Sequence, residues 1–217
     1  MTALITAEQL SYSYPVRGLV LDQVNMSLYA NERVSLEGSN GAGKTTFLNL
    51  LVGLNKPKSG RVIAFGRERS VEADFVEVRA NAGFLFQDPD DQLFCPTVLE
   101  DVAFGPLNQG KSMDESKQIA TEVLECLGMV GFEERVTHQL SGGEKRLITL
   151  AAVLAMRPQV LLLDEPSNAL DKAARLRLID VLNNLPQAMI IISHEPSFLD
   201  ALVTRRTRLE RGKIIDA

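Results

Sequence analysis

Long hydrophobic runs are missing from this 217-residue sequence. Its most apolar stretch, LITLAAVLAM at 147–156, is closed by Arg157 and Pro158 and falls short of the ~18 residues that a membrane-spanning helix needs. No segment is therefore expected to cross a membrane. The opening MTALITAEQL carries Glu8 and lacks both a basic stretch and a small-residue cleavage site, so no secretory signal is expected and the cytoplasm is the default compartment. Cysteine is scarce as well: Cys95 and Cys126 have no CxxC spacing, which argues against a disulfide and predicts two packed, unbridged thiols. Blocks of like charge, internal repeats and low-complexity tracts are absent, which excludes an acidic tail or a repeat array. The formal charge of −5 and a pI near 5.2 argue against a protein whose main task is to neutralise nucleic-acid phosphates.

What is present suits a soluble globular fold. Apolar residues make up 45% and charged residues 24%, enough to bury a real core and to exclude disorder, collagen and coiled coil. The length is about one and a half times the ~150-residue prior, so a single domain with an inserted lobe is expected. Alternating runs over ALITAEQL and LVLDQVNMSLYANERVSLEG, broken by SYSYPVRG, predict strands joined by turns. From Lys44 the pattern turns helical through TTFLNLLVGL and stops at Pro57 and Gly60, after which RVIAFG reads as a strand. AGFLFQDP reads as a buried strand running into a loop, and helical spacing recurs around 97–104, 113–127 and 144–156. VLLLDEP, a helix near 172–184, AMIIISHEP and RTRLERGKII then alternate strand with helix, the pattern of a mostly parallel sheet.

GSNGAGKT at 38–45 fits G-x-x-x-x-G-K-[ST] and lies between a strand and a helix. A glycine-rich turn lets backbone N–H groups approach phosphate oxygens, and the helix start adds partial positive charge. Lys44 supplies a cation for the outer phosphates and the Thr45 hydroxyl a hard oxygen for Mg²⁺. VLLLDEP places Asp164 for the metal's water shell and Glu165 for polarising an attacking water. His194, after the apolar AMIIIS, is placed to hydrogen-bond a terminal phosphate, although such a histidine is also compatible with a structural role. LSGGEKR at 140–146 offers Ser141, Gly142, Gly143 and Glu144 at the start of another helix. That is either a capping box or a second anion site, and one chain needs only one such site for one nucleotide.

Taken in order, GSNGAGKTT, Gln87, LSGGEKR, VLLLDEP, SNALD and His194 resemble the nucleotide-binding subunit of ATP-binding-cassette proteins over nearly the whole chain. The resemblance implies an α/β P-loop fold with a mixed sheet core, an antiparallel β edge and an inserted helical lobe. It implies one domain over 1–217, with a RecA-like core of about 1–87 and 158–217 and a lobe of about 88–157. ATP and Mg²⁺ would be held by Gly38, Ser39, Asn40, Gly41, Ala42, Gly43, Lys44, Thr45 and Thr46, with Thr45, Gln87 and Asp164 at the metal. Glu165, His194 and Gln87 would be catalytic, and Tyr14 would stack on adenine. Ser141, Gly142, Gly143 and Glu144 would cover the nucleotide of a second ATPase subunit, identical or a close paralogue, with Asp171 bridging the pair.

The stretch DPDDQLFCPTVLEDVAFGP, 88–106, further resembles the ATPases of energy-coupling-factor importers, which bring vitamins and transition-metal ions such as cobalt or nickel into prokaryotic cells. That resemblance implies an ATP-hydrolysing subunit on the cytoplasmic face of the inner membrane. It would grip an integral membrane coupling subunit near Gln92, Leu93 and Phe94, with a substrate-binding membrane subunit engaged indirectly and no nucleic acid bound. Asp88, Asp90 and Asp91 read as a solvated turn rather than a metal site, and His138 as a surface or capping residue. RLERGKIIDA finishes the chain soon after the expected final strand, so the helical extension that helps many such ATPases to pair is not expected, which places pairing without ATP in question. Arg205, Arg206, Arg208 and Arg211 read as a solvated edge strand. The alternative is a soluble cassette ATPase acting on ribosomes or DNA; only the 52 residues from 88 to 139 are available for the insertion such proteins use.

Overall fold

In the computed structural model, which describes residues 2–217, the opening alternation becomes two 12-residue strands, β1 (Ala3–Tyr14) and β2 (Gly18–Tyr29), paired antiparallel. The strands β4 (Ser59–Ala64) and β5 (Arg67–Arg69) complete a four-stranded antiparallel sheet in the order β2-β1-β4-β5. The second sheet has six strands: β3 (Arg33–Glu37), β6 (Ala82–Leu85), β7 (Val160–Asp164), β8 (Ala188–Ile192), β9 (Arg205–Glu210) and β10 (Lys213–Asp216). They lie in the order β10-β9-β3-β8-β7-β6, and only β10 runs antiparallel to its neighbour. Mixed sheets with an antiparallel edge are thus present, as the resemblance implied.

Every residue of β7 and β8 is buried, because one helix together with the antiparallel sheet covers one face of this sheet and the remaining helices cover the other. Val160, Leu162, Ile190 and Ile192 pack with Phe47, Leu48, Leu50 and Leu51 of α1 (Lys44–Leu51). Leu161, Leu163, Met189 and Ile191 pack into a second cluster with Ile148 and Leu150 of α5 (Gly142–Ala155) and Phe198 of α7 (Pro196–Asp200). α3 (Val98–Asn108), α4 (Met113–Cys126) and α6 (Lys172–Asn184) add Val98, Val102, Leu124 and Leu178 to that second cluster. The helical stretch therefore shares its core with the sheet instead of closing on one of its own.

Three expectations change. α2 (Glu72–Asn81) was not foreseen: only Phe75 and Val78 of it are buried, too few apolar positions to show a helical period. Its start is held instead by the Asp74 carboxylate, which accepts from the N–H groups of Ser70 and Val71. The arginine-rich β9 is not an edge strand, since it lies between β3 and β10. Thr207 and Leu209 point inward while Arg205 pairs with Glu32 at 2.7 Å and Arg206 with Glu37 at 3.0 Å, so two of the arginines are spent on local ion pairs. Cys95 and Cys126 are unbridged as expected, but Cys126 is exposed rather than packed.

Candidate active site

β3 ends at Glu37 and α1 begins at Lys44, so residues 38–43 form the loop between them. Gly38 and Gly43 have φ of 145° and 110°, and a Cβ would stand 2.6 Å from the Leu209 carbonyl at the first and 2.5 Å from Val20 Cγ1 at the second. Side chains are excluded there on both counts. No side chain caps α1 and no carboxylate lies in its first turn, which leaves its leading N–H groups and partial positive charge to an anion. Lys44 Nζ, nearly buried, donates to the carbonyls of Gly38 at 2.7 Å and Ser39 at 3.1 Å. Burial lowers its pKa, an effect opposed by Glu165 and Asp164.

The parallel pairing of β7 with β8 brings the acidic strand end to this loop. Thr45 Oγ1 donates to Asp164 Oδ2 at 2.6 Å across 119 residues of chain. Glu165 sits just past the strand at φ 51°, an uncommon conformation for a non-glycine residue, with its N–H donating to the Ile192 carbonyl at 2.9 Å. Its Oε2 accepts from the His194 N–H at 3.3 Å. Its Oε1 lies 3.4 Å from His194 Nε2, too poorly aligned to count as a hydrogen bond, so that buried oxygen is left without a partner. Desolvation raises the carboxyl pKa of both residues; His194 opposes this at Glu165, and the Thr45 hydroxyl followed by Lys44 at Asp164. An unpaired buried carboxylate oxygen is costly, and a water held against it is the natural partner.

A cavity of about 640 Å³ gathers Asn40, Gly41, Gly43, Lys44, Thr45, Thr46, Gln87, Asp164, Glu165 and His194 along its wall. Ser39 and Ala42 belong to the same loop, bonded to each other through Ala42 N–H and the Ser39 carbonyl. Thr45, Asp164 and Gln87 offer hard oxygens only, which fits Mg²⁺ held largely through the phosphates of its nucleotide. No cluster of three His, Cys, Asp or Glu side chains that would hold a metal unaided exists among the described residues, Asp88, Asp90 and Asp91 included.

The LSGG segment lies elsewhere. Ser141 caps α5, its N–H and Oγ–H donating to Glu144 Oε2 at 2.8 Å each, and Glu144 N–H donates back to Ser141 Oγ at 3.3 Å. The capping box is real, yet it does not exclude a ligand role for the glycines. Gly143 lies against the Ala169 carbonyl, and Gly142 lines an open cleft of about 1010 Å³ with Thr45, Gln87, Arg146 and Asn168. None of 141–144 lines the cavity around Lys44. Asp171 caps α6, its Oδ1 accepting from Ala174 N–H at 2.8 Å. His138 is exposed in a short 3-10 turn.

Of the remaining candidates, Gln92 and Leu93 are less exposed than expected. The Tyr14 hydroxyl shares a hydrogen bond of 3.0 Å with Thr46 Oγ1, and the Tyr14 ring meets Tyr12 edge-on, so Tyr14 braces the loop's helix. Gln92 turns inward, with Oε1 accepting from Phe86 N–H at 3.1 Å and Nε2 donating to the Phe84 carbonyl at 3.2 Å. Leu93 is half-buried against the second apolar cluster. Phe94 is 66% exposed and stacks edge-on with Phe104, itself 42% exposed, beside a small apolar groove lined by Leu54, Phe84 and Met156.

Three contributors carried no recognisable signal of their role. Phe104 reads as an ordinary helical position. Arg146, within the LSGGEKR motif, is buried and donates to the carbonyls of Phe86 at 2.5 Å and of Gln87, fixing the Gln87 loop to α5. Arg17 lies in the turn between β1 and β2, and only the fold brings it to the Gly41 carbonyl.

Comparison with known proteins is consistent with this geometry. The sequence pattern of the family described as "ABC transporter" matches residues 21–168. A Brucella suis biovar 1 protein named for ABC transporter ATP binding, with no substrate in its name, is 51% identical over 217 residues, 100% of this chain and 90% of the relative. The energy-coupling factor transporter ATP-binding protein EcfA of Methanothermobacter thermautotrophicus is 41% identical, covering 98% of this chain and 70% of its own. The cobalt import ATP-binding protein CbiO of Rhodobacter capsulatus is 39% identical, covering 99% and 78%. Among solved structures, cbiO1 of Clostridium perfringens, part of the ABC transporter complex cbiONQ, superposes with a TM-score of 0.86 at 30% identity over 99% of this chain and 88% of that one. A dimeric bacterial ABC transporter cassette superposes with a TM-score of 0.89 at 25% identity, over 97% and 96%.

Proposed function

The chain belongs to the ABC transporter family, as a subunit that binds and hydrolyses ATP to drive transport, and on that premise we propose that it powers an energy-coupling-factor-type importer of a transition-metal ion, cobalt or nickel, or of a vitamin. The observation that carries the importer reading is the product of the 88–106 segment: Phe94, on the loop that also bears Gln87, pairs with Phe104 of α3, both exposed beside an apolar groove. An apolar patch of this kind suits a helix of a membrane partner. No helix of the chain is itself long and apolar enough to cross a membrane. The chain works as one domain over 1–217, a RecA-like core of about 1–87 and 158–217 carrying a helical lobe of about 88–157. It sits at the cytoplasmic face of a prokaryotic inner membrane and binds no nucleic acid.

The loop 38–46 holds the ATP phosphates through its N–H groups, and Lys44 exchanges its two carbonyl partners for phosphate oxygens. Mg²⁺, when bound by Thr45, Asp164 and Gln87 with the nucleotide, supplies charge neutralisation at the phosphates. Glu165 polarises the attacking water through the carboxylate oxygen that has no partner, and His194, whose backbone N–H holds Glu165, gives its imidazole to the terminal phosphate. Gln87 senses the site and, through Arg146, moves with α5. Ser141, Gly142, Gly143 and Glu144 cover the nucleotide of a second ATPase subunit, and Asp171 reaches across the pair; that Gly142 faces an open cleft and not the Lys44 cavity supports the arrangement. Tyr14, steadied by its hydrogen bond to Thr46, stacks on adenine.

The test is capture from detergent-solubilised native membranes with the Glu165→Gln chain and Mg-ATP. A small multi-helix membrane subunit in the captured material supports the importer reading, and an accompanying substrate-binding subunit identifies the cargo. Capture of ribosomes or DNA-associated proteins without a membrane partner overturns it.

A further inference from the structure

The tip of the β1–β2 hairpin carries a cation that none of the motifs contains. Arg17 follows the exposed Val16, and its Nη2 donates to the Gly41 carbonyl in the middle of the phosphate loop. Gly41 has φ 76°, and a Cβ there would stand 2.7 Å from Arg17 Nη2, so the glycine provides the space the guanidinium occupies. The hairpin meets the same loop region at a second point, the 3.0 Å hydrogen bond between the Tyr14 hydroxyl and Thr46. Arg17 is thereby held at the mouth of the nucleotide cavity and not merely near it.

Its guanidinium is under-used there. Five N–H groups are available, one goes to Gly41, and among the described residues no carboxylate pairs with it. Arg17 lines the same cavity as Lys44, Asp164, Glu165 and Glu195. Glu195 is paired with Arg175, which leaves Lys44 to face the carboxylates of Asp164 and Glu165, and Arg17 is the second positive charge on that wall.

We propose that Arg17 is a nucleotide-binding residue: steadied on the Gly41 carbonyl by one N–H, it gives its remaining N–H groups to the polyphosphate and sets the preference for tri- and diphosphate over monophosphate. This rests on the nucleotide site proposed above. A guanidinium fork suits that task because it presents parallel donors to two oxygens at once. The positive charge carries the effect, and the bond to Gly41 only aims it.

The experiment displaces a fluorescent ATP analogue from the full-length chain with ATP, ADP and AMP, in the wild type and in Arg17→Gln, Arg17→Lys and Lys44→Ala. Arg17→Gln keeps a donor for the Gly41 carbonyl but removes the charge; it is expected to weaken ATP and ADP about tenfold and AMP by about threefold or less. Arg17→Lys keeps the charge but not the fork, and is expected to lose less ATP and ADP affinity than Arg17→Gln while remaining weaker than the wild type. Wild-type affinities in Arg17→Gln, or equal losses for ATP, ADP and AMP, would make Arg17 a strut of the hairpin and overturn the proposal. Lys44→Ala separates the two levels. If it no longer binds while Arg17→Gln binds normally, the site stands and the Arg17 role falls; if it binds undiminished, the site assignment itself falls.

Discussion

Glu165→Gln exchanges one carboxylate oxygen for an amide nitrogen at almost constant volume. The His194 N–H, which donates to Glu165 Oε2 at 3.3 Å, keeps an acceptor in the amide oxygen. Lys44, Thr45 and the loop 38–43 do not bond to this side chain, so ATP affinity is expected to stay within about threefold of the wild type. The water facing the unpaired Oε1 loses its base, and general-base removal lowers kcat by about 10²–10⁴. The substitution also discharges a side chain that is only 13% exposed, which stabilises the nucleotide-free protein by about 1 kcal/mol. Unfolding entropy for 217 residues amounts to about 0.45 kcal/mol/K, so the melting temperature rises by about 2 °C. Phosphate release, nucleotide titration and thermal melting read these three quantities on one preparation. A variant that retains more than a tenth of wild-type turnover refutes the base assignment. Loss of ATP binding together with a lower melting temperature refutes the argument that Glu165 is a functional charge held against stability.

Lys44→Ala removes the cation that the loop carbonyls hold over the phosphate site, and nucleotide affinity measured by titration is expected to fall at least about 100-fold with the fold intact by circular dichroism. Asp164 and Glu165 have raised carboxyl pKa values, so the folded state binds their protons more tightly than the unfolded chain. Their contribution is favourable below the ordinary carboxylate range and is lost as pH rises through the raised values. Asp164→Asn is therefore expected to gain stability relative to the wild type as pH rises from about 4 to 7 in Mg²⁺-free buffer, and denaturant melts showing no such trend would contradict the desolvation cause. Phe94→Asp places a charge on a ring that is 66% exposed, so melting temperature and ATP turnover of the isolated chain are expected to change little while capture of the membrane partner falls at least tenfold.

The chemistry was legible in the sequence because it is local. The loop GSNGAGKT needs only a preceding strand and a following helix, and both are encoded within a few residues of it. VLLL and AMIII are apolar at every position and lead into Asp164 and, two residues past the strand, His194. A run of that kind suits a strand covered on both faces, so a parallel sheet follows from the pattern. α2 escaped for the opposite reason: its position is settled by two buried side chains and a capping carboxylate, neither of which leaves a period.

What only the tertiary structure decided are the contacts made across long loops. β9 looks like a solvated edge from its arginines, but its place between β3 and β10 depends on where the chain returns after α7. Gln92 reads as a surface residue until the turn after β6 folds its amide onto Phe84 and Phe86. The bond from Thr45 to Asp164 spans 119 residues, yet both ends belong to motifs and could be paired in advance. Arg17 and Gly41 are 24 residues apart, and only one of them belongs to a motif. Local residue types determine which groups can meet a phosphate; the closure of two sheets around a shared core determines which of them do, because burial energy is indifferent to sequence distance.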